Sequence, residues 1–137
     1  MRPTILTVDD SKGLRLFVQK ALSAFDCTAN EAKDGFDAFF AIERARPDLI
    51  LLDVNMPIMD GIEALERLKA APELATIPVL MLASPADHVV VPKLVPMGAT
   101  GVLMKPFDEA ALLEKVRAVL ALQPAVQRML ADLRVWT

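Results

Sequence analysis

Residues 49–52 read LILL, four branched aliphatic side chains in a row, and the run ends on a carboxylate, Asp53, before the turn-prone VNMPIMDG. A strand of this kind cannot alternate between core and solvent, so it must be covered on both faces. A second run, IPVLMLA at 77–83, makes the same demand. Strands covered on both faces belong to parallel sheets with helices on either side.

The rest of the chain supplies those helices. TILTV (4–8) reads as a strand, and SKGLRLFVQKALSAF after it places Leu14, Phe17, Val18, Ala21 and Leu22 at helical spacing. CTANEA (27–32) is a weaker strand, and DGFDAFFAIERAR a helix stopped by Pro47. LILLD leads to the helix GIEALERLKAA, and IPVLMLA to an apolar element over 85–97 that carries Pro92 and Pro96. TGVLM (100–104) is a last strand, followed by the amphipathic DEAALLEKVRAVLAL with Asp108 at its N-cap. Five β–α units in succession predict an α/β fold, a doubly wound five-stranded parallel sheet with helices on both faces and right-handed crossovers. That domain is expected over residues 1–121, with a C-terminal extra helix over 122–137. In the tail, Val126, Met129, Leu130 and Leu133 share one face, near Trp136. Three roles fit such a helix: packing back on the domain, dimerisation, or leading to a further output module.

Composition narrows the function. No segment approaches the roughly 18 consecutive apolar residues of a membrane span, and MRPTILTVDD enters a strand without signal-peptide architecture. The one cysteine, Cys27, excludes an internal disulfide and fits a reducing cytoplasm, with a small buried hydrophobe as its expected role. A net charge of -3, no basic stripe and no helix-turn-helix argue against direct nucleic-acid binding. The expectation is a cytoplasmic domain, not inserted in a membrane, whose partners are proteins.

In a doubly wound sheet the ligand site lies beyond the carboxyl ends of the strands, where strand order reverses. The first strand ends at Asp9 and Asp10, the third at Asp53, and the fifth is followed by Lys105. Parallel strands bring all four side chains to one edge of the sheet. Three crowded carboxylates repel one another and need a cation. Oxygen ligands without His or Cys suit Mg²⁺. Lys105 adds a point charge for a phosphoryl oxygen, and Asp53 beside a metal can take a phosphoryl group to form an acyl phosphate. Taken singly, each has a plainer reading: Asp9–Asp10 as an acidic pair at a helix start, Asp53 and Asp60–Gly61 as turn residues. The combination at three strand ends is what carries specificity.

With Asp9–Asp10, LLDVNMPIMDG, IPVLML and GATGVLMKPF, the sequence resembles response-regulator receiver domains over roughly residues 3–121. It looks most like the kind that stands alone in chemotaxis signalling. The resemblance implies the flavodoxin-like strand order 2-1-3-4-5. It implies Asp53 as phosphoacceptor, Mg²⁺ held by Asp9, Asp10, Asp53 and the backbone carbonyl of Asn55, and Lys105 contacting the phosphoryl group. It also implies a cis Lys105–Pro106 bond, a histidine kinase or phosphotransfer protein as donor, and a protein output partner on the 84–121 face. Such a domain catalyses at most its own phosphorylation and dephosphorylation.

Two positions depart from that pattern. Similar domains carry Thr or Ser at the end of the fourth strand, where this chain has Ala83, and an aromatic in the fifth strand, where it has Val102. Both halves of the usual hydroxyl–aromatic switch are missing. Ser84 comes one residue late; it reads as a helix N-cap with Pro85 at the first helical position and Asp87 beyond, or as a hydroxyl lent to the phosphoryl group. An interior proline costs a helix about 3 kcal/mol, so Pro92 and Pro96 predict a distorted or partly unwound fourth helix. Its HVVVPKLVPM either packs on the sheet or docks a partner. His88 lacks a helical-bundle setting for phosphohistidine chemistry. A phosphate-independent interaction scaffold is the competing function. A phosphohydrolase with an aspartyl nucleophile is disfavoured, because Asn55 stands where such enzymes place a second carboxylate and an amide cannot shuttle a proton.

Overall fold

In the computed structural model, which describes residues 2–126 with Leu130 and Leu133, the five apolar runs make one parallel sheet. Strands β1 (Thr4–Val8), β2 (Thr28–Ala32), β3 (Leu49–Asp53), β4 (Val79–Ala83) and β5 (Gly101–Met104) lie in the order β2-β1-β3-β4-β5. Between them run α1 (Lys12–Leu22), α2 (Gly35–Arg44), α3 (Gly61–Ala70), a short α4 (Val91–Leu94) and, after β5, α5 (Glu109–Val119). The expected sheet and strand order are both present.

Position in the sheet explains composition. Every residue of β3 and β4 is buried, as their unbroken apolar runs demand, whereas the edge strand β2 buries only Ala32 and can carry Asn30 and Glu31. Successive side chains point to opposite faces. Ile50, Leu52, Val79 and Met81 therefore meet Ala38, Ile42, Leu65 and Leu68 of α2 and α3. On the other face Leu49, Leu51, Leu80 and Leu82 meet Val18, Leu22, Leu112 and Val116 of α1 and α5. Each fully buried Leu or Ile contributes about 1.5–3 kcal/mol relative to exposure. β4 starts two residues later than its apolar run, because Pro78 accepts from Ile50 N–H at 3.0 Å but has no N–H to return.

Four helices begin near the carboxyl edge of the sheet, each under a side-chain cap. Ser11 accepts from Leu14 N–H, Asp34 from Asp37, Asp60 from Glu63 and Asp108 from Ala111. A cap of this kind contributes about 1 kcal/mol. Asp60 is thus more than the turn residue expected of it. Gly61 lets α3 start directly against the end of β3: its N–H reaches the Val54 carbonyl at 2.9 Å, and a Cβ there would overlap the Asp53 carbonyl.

The fourth helix is cut down as its prolines predict. Pro85–Asp87 makes one 3-10 turn, and α4 then holds only four residues, with Pro92 in its first turn and Pro96 just beyond its end. Both readings of its apolar sequence have a share. Leu94 is fully buried and Val90, Val91 and Met97 pack on the core, while Val89 and Val95 stay exposed.

α5 stops at Val119, three residues short of its apolar pattern, because the chain turns to run along the α1–β2 loop. Asp26 N–H donates to Gln123 O at 2.7 Å, Ala125 N–H to Ala24 O at 3.0 Å, and Phe25 faces Pro124. Leu122 is buried, and the Arg117 guanidinium lies 5.4 Å from the centre of the Phe25 ring. Beyond this anchor Ala125, Val126, Leu130 and Leu133 have helical backbone, and Val126, Leu130 and Leu133 are exposed rather than packed on the domain. Met129 and Trp136 lie outside the described residues. Cys27 is buried, its thiol 3.6 Å from the Leu22 carbonyl. Among the described residues no helix is long and apolar enough to cross a membrane.

Candidate functional site

Strand register assembles the site. Val8 pairs with Leu52 and Ala83 with Met104, so the residues just past β1 and β5, Asp9 and Lys105, come up beside Asp53 at the tip of the central strand. One carboxylate oxygen each from Asp9, Asp10 and Asp53 lies within 4.8 Å of the others. Lys105 Nζ donates to Asp9 Oδ2 at 2.7 Å and to Asp53 Oδ1 at 3.1 Å. Asp9 Oδ1 accepts from Ser11 N–H at 2.8 Å, and Arg15, paired with Glu31, holds the Asp9 carbonyl at 2.7 Å. Asn55 N–H approaches Asp53 Oδ1 at 3.4 Å. The peptide bond between Lys105 and Pro106 is cis.

Asp9 and Asp53 are buried and Asp10 is exposed. Burial is the main cause that pushes the Asp53 carboxyl up to about 6; the Asp9 charge adds to it, and Lys105 and the Asn55 N–H work against it. Burial alone would lower the Lys105 ammonium. The Asp9 hydrogen bond and the Asp53 and Asp9 charges outweigh that and hold it above its ordinary range. Three carboxylates facing one ammonium leave an excess of negative charge, and the donor set is oxygen only. That is the chemistry of a hard divalent cation such as Mg²⁺, which binds through few carboxylates and keeps waters.

Asp9, Asp10, Asp53 and Lys105 thus come together as the sequence predicts, with the Asn55 main chain beside them. Ser84 is the N-cap position of the Pro85–Asp87 turn, following Ala83 at the end of β4. Ala83 is fully buried, and Val102 lies half-buried against the α2–α3 side of the core. His88 is exposed, with its Nδ1 3.3 Å from the Pro85 carbonyl.

One residue escaped sequence reasoning. Asp87, expected only as an acid near a helix start, is buried; it accepts the Asn55 side-chain amide on Oδ1 and Ser84 N–H on Oδ2 at 2.7 Å. The three-residue spacing to Ser84 is a local signal. The bond to Asn55 spans 32 residues and leaves no such signal. Beside Lys105 an apolar groove of about 420 Å³ is lined by Leu14, Phe17, Pro106 and Phe107, the two rings meeting edge-on at 6.0 Å.

The sequence matches the response regulator receiver domain family over residues 5–117. It is 35% identical over 116 residues to the transcriptional regulatory protein CseB of Streptomyces avermitilis, covering 85% of this chain and 48% of that protein. The chain therefore spans about half the length of that relative. It is 32% identical over 123 residues to the sporulation initiation phosphotransferase F of Bacillus subtilis, covering 90% of this chain and 98% of that one. The chemotaxis protein CheY4 of Vibrio cholerae has a similar structure, with a TM-score of 0.77 and 33% identity over 88% of this chain and all of that one.

Proposed function

The chain belongs to the response regulator receiver family, the phosphorelay module of two-component signalling, and from that premise we propose that Asp53 is its phosphoacceptor. One observation carries the assignment: Asp53 ends the central strand, buried, with two further carboxylates within 4.8 Å and an ammonium at 3.1 Å. Among the described residues the hydrogen bonds to Asp53 fall on Oδ1, which leaves Oδ2 as the attacking atom. A lone pair on that oxygen forms a bond to phosphorus as the donor's P–N or P–O bond breaks, its electrons leaving with the donor. A histidine kinase or phosphotransfer protein supplies the phosphoryl group. Lys105 turns its ammonium to a phosphoryl oxygen and offsets the charge that Asp9 and Asp53 impose.

Asp9, Asp10, Asp53 and the Asn55 carbonyl would hold Mg²⁺. Bound there, the ion neutralises charge on the transferring phosphoryl group. The chain acts on its own carboxylate and passes a conformational signal to a protein partner through the 84–121 face, with Ser84 as a candidate phosphoryl contact. Residues 1–121 form the receiver domain, and 122–137 an appended segment available for dimerisation. The phosphate-independent scaffold finds no support: the carboxylate–lysine cluster is assembled, and a relative covered over 98% of its length is a phosphotransferase.

Intact mass after incubation with Mg²⁺ and a small acyl phosphate tests the assignment. A gain of one phosphate is expected, absent without Mg²⁺ and absent in Asp53→Asn. No gain, and no adduct with beryllofluoride as a non-hydrolysing mimic, would overturn it.

A further inference from the structure

Of the four buried aspartates among the described residues, Asp9 and Asp53 line the pocket and Asp34 caps α2. Asp87 does neither. Its two oxygens take one donor from each of two loops, the Asn55 amide from the segment after β3 and Ser84 N–H from the segment after β4. Hydrogen bonds to an ionised carboxylate are roughly twice as strong as neutral ones.

The bonds are continuous in both directions. Asn55 touches Asp53 Oδ1 with its main-chain N–H and Asp87 with its side chain. Asp87 N–H closes the turn onto Ser84 O at 2.8 Å, and its carbonyl accepts from Val90 N–H at 3.0 Å, one residue before α4. Anything that moves the Asn55 main chain therefore pulls on the turn from which α4 departs. At the end of β4, where a hydroxyl would sense the phosphoryl group directly, the chain has only the Ala83 methyl.

We propose that Asp87 is a positioning residue that transmits the state of Asp53 to the α4 segment through the Asn55 amide, in place of the missing hydroxyl–aromatic pair. The proposal rests on Asp53 being the phosphoacceptor.

Spatial intermediacy does not establish coupling, so the test is a double-mutant cycle. The full chain and its Asp87→Ala, Asn55→Ala and doubly substituted forms are titrated with beryllofluoride and Mg²⁺. Adduct formation is followed by mass, and its effect by amide chemical shifts at Val54 and Leu103 near the pocket and at Val89, Val90, Val91, Lys93 and Leu94 near α4. In the unsubstituted chain both groups shift. In Asp87→Ala the α4 shifts fall to less than half while the pocket shifts persist; Asn55→Ala lowers the α4 shifts as far, and the double variant loses no more of them than either single. A merely structural role would disturb the resting spectrum without separating the two groups. Where Asp87→Ala does not fold, Asp87→Asn decides, since the amide keeps the size of the side chain but accepts on one oxygen only and so cannot clamp both donors. Intact α4 shifts in a folded variant, no α4 shift in the unsubstituted chain, or additive losses in the double variant would overturn the role of Asp87 alone. Absence of any adduct in the unsubstituted chain would overturn the phosphoacceptor assignment and this proposal with it.

Discussion

At the ends of β1, β3 and β5, charged side chains meet at 2.7–3.1 Å, each buried carboxylate already provided with a donor. One strand over, at the end of β4, stands a methyl group, and after it a single 3-10 turn and a helix of four residues. The two regions share a sheet edge but answer to different constraints. Crowded carboxylates and a lysine tolerate little change, because an uncompensated buried charge is expensive. Passing the signal onward needs only some element with two arrangements that the pocket can bias. Receiving a phosphoryl group and reporting it are separable tasks, and in our proposal the first belongs to the carboxylate–lysine cluster and the second to the segment after β4.

The sharpest way to break the comparison is Lys105→Met. The substitution leaves Asp9 and Asp53 buried side by side without their ammonium. Removing one partner of a buried pair costs about 3–5 kcal/mol. Chemical denaturation in the presence of a chelator should show a loss of that size, and millimolar Mg²⁺ should recover most of it. A stabilisation by Mg²⁺ no greater than in the unsubstituted chain would mean that the cation sits elsewhere, and the pocket would lose its claim to be intact.

The same contrast governs what could be read from the sequence. β3 and β4 announce themselves because burial on both faces forces unbroken apolar runs, and Asp53 is conspicuous as the acid that ends one of them. Parallel geometry then brings Asp9, Asp10 and Lys105 to the same edge without further information. The prolines of the fourth helix were equally legible, since a missing N–H is a local property. Two things were not. The anchoring of 123–125 on 24–26 is main chain to main chain and has no residue signature. The Asn55–Asp87 bond joins two loops whose approach depends on the whole sheet, and Asp87 alone reads as a helix-start acid. Ile58, a β-branched residue at φ 70°, likewise has no sequence cue for its left-handed backbone.

A second test weighs the pocket's electrostatics by pH. Asp53 titrates near 6 rather than at its ordinary 3.8, chiefly because burial disfavours the charged carboxylate. The folded state therefore binds that proton more tightly than the unfolded chain. The resulting stability is fully present below about pH 4 and is lost as pH rises through about 6. Without metal, Asp53→Asn should be more stable than the unsubstituted chain by about 1–3 kcal/mol at pH 8, with the advantage shrinking toward pH 4. Mg²⁺ should reverse the order at pH 8, because only the unsubstituted chain keeps the carboxylate. Equal stabilities at pH 8 without metal would show that Lys105 alone satisfies Asp53.

The smallest effect probes the end of β4 directly. Ala83→Ser adds one hydroxyl at the end of β4 and only one heavy atom to a fully buried position. Threonine would add a methyl as well, and overpacking a tight site costs about 1–3 kcal/mol. A hydroxyl that donates to a phosphoryl oxygen is worth about 1 kcal/mol, enough to lengthen the life of the phosphorylated state about fivefold. Decay of the phosphorylated mass after removal of the donor measures it. A lengthened lifetime means that the missing hydroxyl is what limits retention at Asp53. An unchanged lifetime means that another donor already serves, and Ser84→Ala should then shorten it. In that case the two regions would be less separate than their geometry implies, because the turn that begins the route to α4 would itself hold the phosphoryl group.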